Sequence, residues 1–224
     1  MRRQSDFRVN EWIMDSGAFS QLHRFGKFTC STEQYAAVIH RFSSCGQLVA
    51  AVCQDWMCEP FIIAKTGLSV GEHQARTVQS YADLLALSSV PIMPVLQGFE
   101  PEDYIACLRL YGDLLPPGAL VGVGSVCKRN GNPDAIEDVL LAIKCERSDL
   151  ELHGFGLKLH ALERATIRAL LTSSDSMAWS YHGRRHCGDS HDPRQALRYA
   201  ATVQELINKP VFVQEQLFSW FRSK

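Results

Sequence analysis

Short apolar runs that close on glycine or a polar cluster alternate along this chain with segments of helical periodicity. The runs are 11–15, 47–55, 91–97, 119–125, 150–158 and 176–181; the helical segments are 31–44, 69–87, 101–111, 133–145, 161–171 and 193–207. Ser31 stands three positions before Gln34 and Ser69 three before Glu72, the spacing of a capping box. Pro101, Pro133 and Pro193 each follow a polar residue as first-turn prolines. Runs such as Leu48–Val52 and Ile92–Leu96 are apolar at consecutive positions, as strands buried on both faces require. The pattern predicts βα units in one α/β domain over residues 1–224. A TIM-like (β/α)8 barrel or an open doubly wound sheet would satisfy it. Six units are visible, so a barrel needs two more strands, sought at 6–9 and 211–213, or is incomplete at its N-terminal end.

Composition narrows the functional classes. With 46% hydrophobic and 21% charged residues over 224 positions, the chain reads as an ordinary globular protein with room for a core. No apolar stretch is long enough to span a bilayer, and Met1–Asp6 leads into no signal-peptide core, so the expectation is a cytoplasmic protein without a membrane. A net charge of −1 excludes a global positive field, leaving nucleic-acid binding to a local patch. The eight cysteines are dispersed without a C-x-x-C pair and read mostly as buried thiols.

In parallel α/β folds the reacting groups gather at the carboxyl ends of the strands. There this sequence places Asp15-Ser16-Gly17, Gln54-Asp55-Trp56, Gln97-Gly98, Gly122-Val123-Gly124-Ser125 and Gly154-Phe155-Gly156-Leu157-Lys158, with Asp175 preceding the sixth run. Each aspartate taken alone is as readily an N-cap or turn residue, and the glycine pairs lack the rest of a dinucleotide fingerprint. Their convergence favours a site in which one carboxylate is ionised and nucleophilic while another exchanges a proton. Gln97 offers a donor and an acceptor to a heterocycle, and Phe19, Trp56, Phe99, Phe155 and Trp179 stand near the loops as aromatic partners. Lys128, Arg129, Lys158, Arg184 and Arg185 follow strand ends and form a candidate patch for phosphates, against the plainer reading of solvated loops. Cys187 and His191, with His182 and His186 nearby, fall short of a compact four-ligand zinc site.

Asp15-Ser16-Gly17-Ala18-Phe19, Val95–Gly98, Val121–Ser125, Leu152–Gly156 and Asp175–Ser180 occur in the order and approximate spacing of the tRNA-guanine transglycosylase superfamily, which the chain resembles from about Trp12 to Arg185. Gln54–Pro60 and Ala64–Ser69 make it most similar to the short DNA 7-deazaguanine transglycosylase-like branch. The resemblance implies a TIM-like barrel and a pentosyltransferase that replaces guanine in a polynucleotide, DNA before tRNA, with a 7-deazaguanine such as 7-cyano-7-deazaguanine. It implies Asp175 as nucleophile and Asp15 as general acid/base. It implies Asp55 and Gln97 as readers of the base, with Ser16, Gly98, Gly124 and Gly156 lining it. No cofactor is required for that chemistry. The superfamily's zinc module is reduced here to Cys187 and His191, and relatives usually carry a strand before the first motif, which here stands almost at the start of the sequence, so the barrel is expected to close differently or incompletely. A non-catalytic, nucleic-acid-binding accessory subunit is the alternative expectation, and the 211–221 segment is expected to close the barrel or form a dimer surface.

Overall fold

Both predicted capping boxes form. Ser31 Oγ accepts the Gln34 N–H and the Gln34 side chain returns to the Ser31 N–H; Ser69 and Glu72 do the same. In the computed structural model, which describes residues 6–129, 131–185, 189 and 192–209, the chain falls into two compact units, 1–125 and 126–224.

The first unit runs β1 (Glu11–Met14), α1 (Ala18–Phe25), α2 (Thr32–Phe42), β2 (Gln47–Val52), α3 (Pro60–Thr66), α4 (Val70–Leu87), β3 (Ile92–Met93), β4 (Val95–Leu96), α5 (Pro101–Tyr111) and β5 (Leu120–Val123). β1 pairs with β2, β2 with β3 and β4 with β5, every pair parallel. β3 and β4 are one extended segment interrupted at Pro94, which has no N–H to give. One edge receives Ala51 and Cys53 N–H groups at Pro91 and Met93; the other receives Gly122 and Gly124 at Pro94 and Leu96. The buried Tyr111 hydroxyl sits at the interruption, 3.1 Å from Val95 N and 3.0 Å from Val95 O, so the break leaves neither group orphaned.

The second unit contains α6 (Pro133–Glu146), β6 (Glu151–Gly154), α7 (Leu159–Leu162), α8 (Ala165–Leu170), β7 (Ser173–Ser174), α9 (Tyr181–Arg185) and α10 (Pro193–Ile207). β6 and β7 are parallel. Ile136, Val139, Leu140 and Ile143 form the buried stripe of α6, at helical spacing. Arg164, between α7 and α8, pairs with Asp134 and Glu137 of α6.

Parallel pairing and the α/β class follow the sequence pattern, and four expectations need correction. Residues 6–9 form no strand. The run 176–181 is a 3-10 turn (Ala178–Ser180) leading into α9, and the strand lies just before it at Ser173–Ser174. The predicted helix 161–171 is two short helices, divided at Glu163-Arg164. Two helices, α1 and α3, were not expected. Among the described residues there are seven strands and no closed barrel; 211–213 lies outside them.

Candidate active site

In the first unit the strand-end residues form one hydrogen-bonded cluster. Asp55, following β2, is 7% exposed. Ser16 Oγ donates to its Oδ1 at 2.9 Å and Gln97 Nε2 to its Oδ2 at 2.6 Å. Gln97 Oε1 faces the Ser125 hydroxyl at 2.7 Å. The reverse amide orientation would set an oxygen against the carboxylate, so these two partners fix it. Ser125 Oγ also accepts the Cys58 N–H at 2.9 Å and lies 3.0 Å from Oε2 of the buried Glu59. Its single proton therefore serves one of two acceptors.

Burial, and next the charge of Asp15, push the Asp55 carboxyl up to about 7; the Ser16 and Gln97 hydrogen bonds oppose them. Asp15 is exposed at the end of β1. It lines a cleft of about 650 Å³ with Ser16, Phe19, His23, Phe28 and Tyr35. Gln54 holds one wall, donating Nε2 to the Cys30 carbonyl and accepting from Thr32.

A buried polar stripe on α4 fixes the loops of this cluster. Ser80 accepts the Gln54 N–H, Thr77 accepts the Trp56 N–H, and His73 Nδ1 lies 2.7 Å from the Met57 carbonyl. Gln74 Nε2 donates to the carbonyls of Gln97 and Asp103, each at 2.8 Å. Spaced one and then three residues apart, these side chains share one helix face, and they satisfy backbone groups that no strand reaches.

Gly124 and Gly98 are required for packing. A Cβ on Gly124 would lie 2.3 Å from Gln97 Nε2, and one on Gly98 would lie 2.7 Å from Asp103 Cβ. The Gly124 N–H is spent on Leu96 and its carbonyl on the Tyr104 hydroxyl.

The second unit holds Asp175 directly after β7. Its Oδ1 accepts the Gly156 N–H at 2.8 Å and lies 3.6 Å from His153 Nε2. His153 is buried, its Nδ1 2.8 Å from Ser173 Oγ and its ring edge-on to Phe155. Burial alone would raise the Asp175 pKa. The nearby His153 imidazole and the Gly156 hydrogen bond outweigh it and hold the carboxyl below the usual aspartate range. The side chain remains 55% exposed, an ionised carboxylate open to a ligand. Gly156 needs its positive φ of 66°, and a Cβ there would meet Cys127 Cβ at 2.7 Å.

Of the expected site residues, Ser16, Asp55, Gln97 and Gly124 are brought into contact in one unit, and Gly156 and Asp175 in the other. The five expected basic residues lie in the second unit; Lys128, Lys158, Arg184 and Arg185 are exposed, whereas Arg129 is partly buried, with Nε and Nη2 out of solvent. Arg184 donates to the Met177 carbonyl and Arg185 lies over the Tyr181 ring. Cys187 and His191, the expected zinc remnants, lie outside the described residues. Glu59, Ser125 and His153 are site residues that sequence reasoning left unassigned. All three sit inside the motifs quoted above, one or a few positions from an assigned residue.

No helix among the described residues is long and apolar enough to cross a membrane. No curated protein matches the chain. Residues 1–211 match the family model described as DpdA, DeoxyPurine in DNA protein A. The chain therefore belongs to the DpdA family.

Proposed function

We propose that this protein is a DNA guanine/7-deazaguanine transglycosylase working through a covalent aspartyl-nucleotide intermediate. Family membership points to deazapurine modification of DNA and to a glycosyltransferase-type activity. The observation that carries the finer reading is the contrast between two carboxyls. Asp175 is held ionised and half-exposed, while Asp55 is buried and titrates near neutrality. A nucleophile needs the first environment; a group that binds a base by its N–H edge gains from the second, because its donors replace lost solvation.

In the proposed reaction an Asp175 oxygen bonds to C1′ of the target nucleotide as the C1′–N9 bond breaks. The bonding pair leaves with guanine, and Asp15, in its protonated form, supplies the proton that neutralises it and becomes the carboxylate. The incoming 7-deazaguanine, such as 7-cyano-7-deazaguanine, gives its N9 proton to Asp15. Its N9 attacks C1′ and expels the Asp175 carboxylate. Two displacements keep the backbone intact while one base replaces another. Asp55 accepts from the ring N–H and 2-amino group, taking these donors in place of Ser16 Oγ. Gln97 reads the 6-oxo group, which requires its Nε2 to leave Asp55, and Gly98, Gly124 and Gly156 keep the surrounding backbone close. Lys128, Arg129, Lys158, Arg184 and Arg185 hold phosphates. A TIM-like barrel is the architecture proposed for the whole, a homodimer its proposed assembly, and Cys187 and His191 the remnant of a zinc site outside the chemistry.

Incubating the protein with DNA and 7-cyano-7-deazaguanine, then analysing nucleosides by mass spectrometry, tests the exchange. A 7-deazaguanine nucleoside in the digest supports it. Free guanine with an abasic site would show hydrolysis instead, and an unaltered digest would reject both.

A further inference from the structure

The outward face of α1 and α3 is not used by the chemistry above. The two helices pack together through Ala18, Leu22 and Ile62, with Trp56 and Met57 beneath. Aromatic rings around this seam reach solvent: Phe25, at the end of the stripe that begins with Ala18 and Leu22, is 47% exposed, and Phe61, beside Ile62, is 42% exposed. His23 is stacked on Phe19 (centroids 5.3 Å apart, planes 13° apart) and meets Phe61 edge-on at 6.2 Å. Arg24 lies over the Phe25 ring at 5.1 Å. Cations border the rings: Lys27 follows α1, and Lys65 belongs to the last turn of α3, its stem and carbonyl close to Gly26.

The two segments carry charge of one sign. Residues 17–29 and 60–71 contain no Asp or Glu, although the whole chain carries a net −1. Exposed rings beside cations fit an unstacked polynucleotide, whose bases offer π-faces and whose phosphates offer charge. A duplex hides the bases. His23, Arg24 and Phe25 also line the cleft that contains Asp15, so the face leads to that residue.

We propose that the exposed surface around the α1–α3 seam, carrying His23, Phe25, Phe61, Arg24, Lys27 and Lys65, binds the unpaired DNA nucleotides that flank the target base. The proposal rests on the DNA transglycosylase function given above and extends it. An enzyme that works on an extruded base must hold neighbours whose stacking it has disturbed.

Fluorescence anisotropy of the full chain with a labelled single strand of about 12 nucleotides, within the usual site size for such surfaces, tests this. The single strand should bind more tightly than its duplex. Phe61→Ala should weaken single-strand binding about tenfold, and Phe61→Trp should restore it. Lys27→Gln with Lys65→Gln should lower the slope of log affinity against log salt by roughly 1.4, two phosphate contacts on a single strand. Unchanged affinity in Phe61→Ala with an unchanged slope in the double variant would overturn the proposal. So would anionic vesicles or a second copy of the chain occupying the face, read as vesicle co-sedimentation or a mass shift that Phe61→Ala abolishes while DNA binding persists. Absence of the Phe61 and lysine effects with a covalent Asp175–DNA adduct still formed removes only the docking role. An absent adduct with the Phe61 effect intact removes only the transfer chemistry.

Discussion

Gln97 Nε2 donates to Asp55 Oδ2 at 2.6 Å while the other end of the same amide is held by Ser125, so one wholly buried carboxamide orients the carboxyl proposed to receive the base. Gln97→Met keeps the length of the side chain and deletes both partners. Asp55 then loses a donor and Ser125 an acceptor. The variant should lose about 1–3 kcal/mol of stability, the usual cost of leaving a buried polar group unmet. Urea unfolding should show a lower midpoint at constant m-value. An unmoved midpoint would mean that the hydrogen bond contributes nothing.

Asp55 gives stability a definite pH dependence. Its carboxyl titrates near 3.8 when unfolded and near 7 when folded. Between those values the folded state holds the extra proton, so this contribution is complete below about pH 4 and is lost as pH rises through 7. The total is on the order of a few kcal/mol. Subtracting an Asp55→Asn unfolding series from the wild-type series should isolate a downward slope across that window. A flat or rising difference contradicts the assignment. Guanine-edge binding to the ionised carboxyl should release a proton and strengthen as pH rises through 7.

Asp15 raises the Asp55 pKa through its charge. Asp15→Asn should therefore move the Asp55 titration downward, visible as a displaced window in the same unfolding series. It should also slow base exchange severely while leaving DNA affinity nearly intact, since the exposed carboxylate is proposed to move protons and not to hold the polymer. Wild-type turnover in this variant rejects the role.

Asp175 and His153 separate chemistry from tuning. Asp175→Asn should abolish the covalent protein–DNA adduct on denaturing gels. His153→Gln keeps the nucleophile but removes the imidazole that helps hold it ionised, so adduct formation should persist with its acidic limb moved to higher pH. An adduct of full yield in Asp175→Asn, or an unshifted limb in His153→Gln, would each break the proposed division.

Gly124→Ala sets a methyl 2.3 Å from the Gln97 amide nitrogen. Overpacking of this kind costs about 1–3 kcal/mol. The displaced amide should also weaken base binding by more than the loss of stability explains. Calorimetric titration with 7-cyano-7-deazaguanine reads the second effect directly, and wild-type affinity there would show that Gln97 does not meet the base.

Much of this was legible before any coordinates. The strand-end positions of Asp15, Asp55 and Gln97 follow from apolar runs, and α2 and α4 announce themselves by capping boxes that do form. α1 gives no such signal: it starts at a left-handed Gly17 with no capping side chain and no acid in its first turn. β7 was misplaced because Ser173–Ser174 is polar and exposed, so its strand character comes from pairing with β6 alone. The polar stripe of α4 reads as a surface face in sequence. Only the strand-end loops it supports make His73, Gln74 and Thr77 interior residues. Contacts between residues 28 and 67 positions apart, such as Ser125 with Gln97 and with Cys58, have no local signature.

Ser125 adopts φ 57°, a conformation that favours glycine or asparagine, yet neither would supply the hydroxyl that meets Cys58 and Gln97. Backbone preference and hydrogen bonding thus oppose each other at this one position. A library of variants at position 125 sorted for folding should drift toward glycine, and the same library sorted for binding of the base edge that Gln97 is proposed to read should return serine.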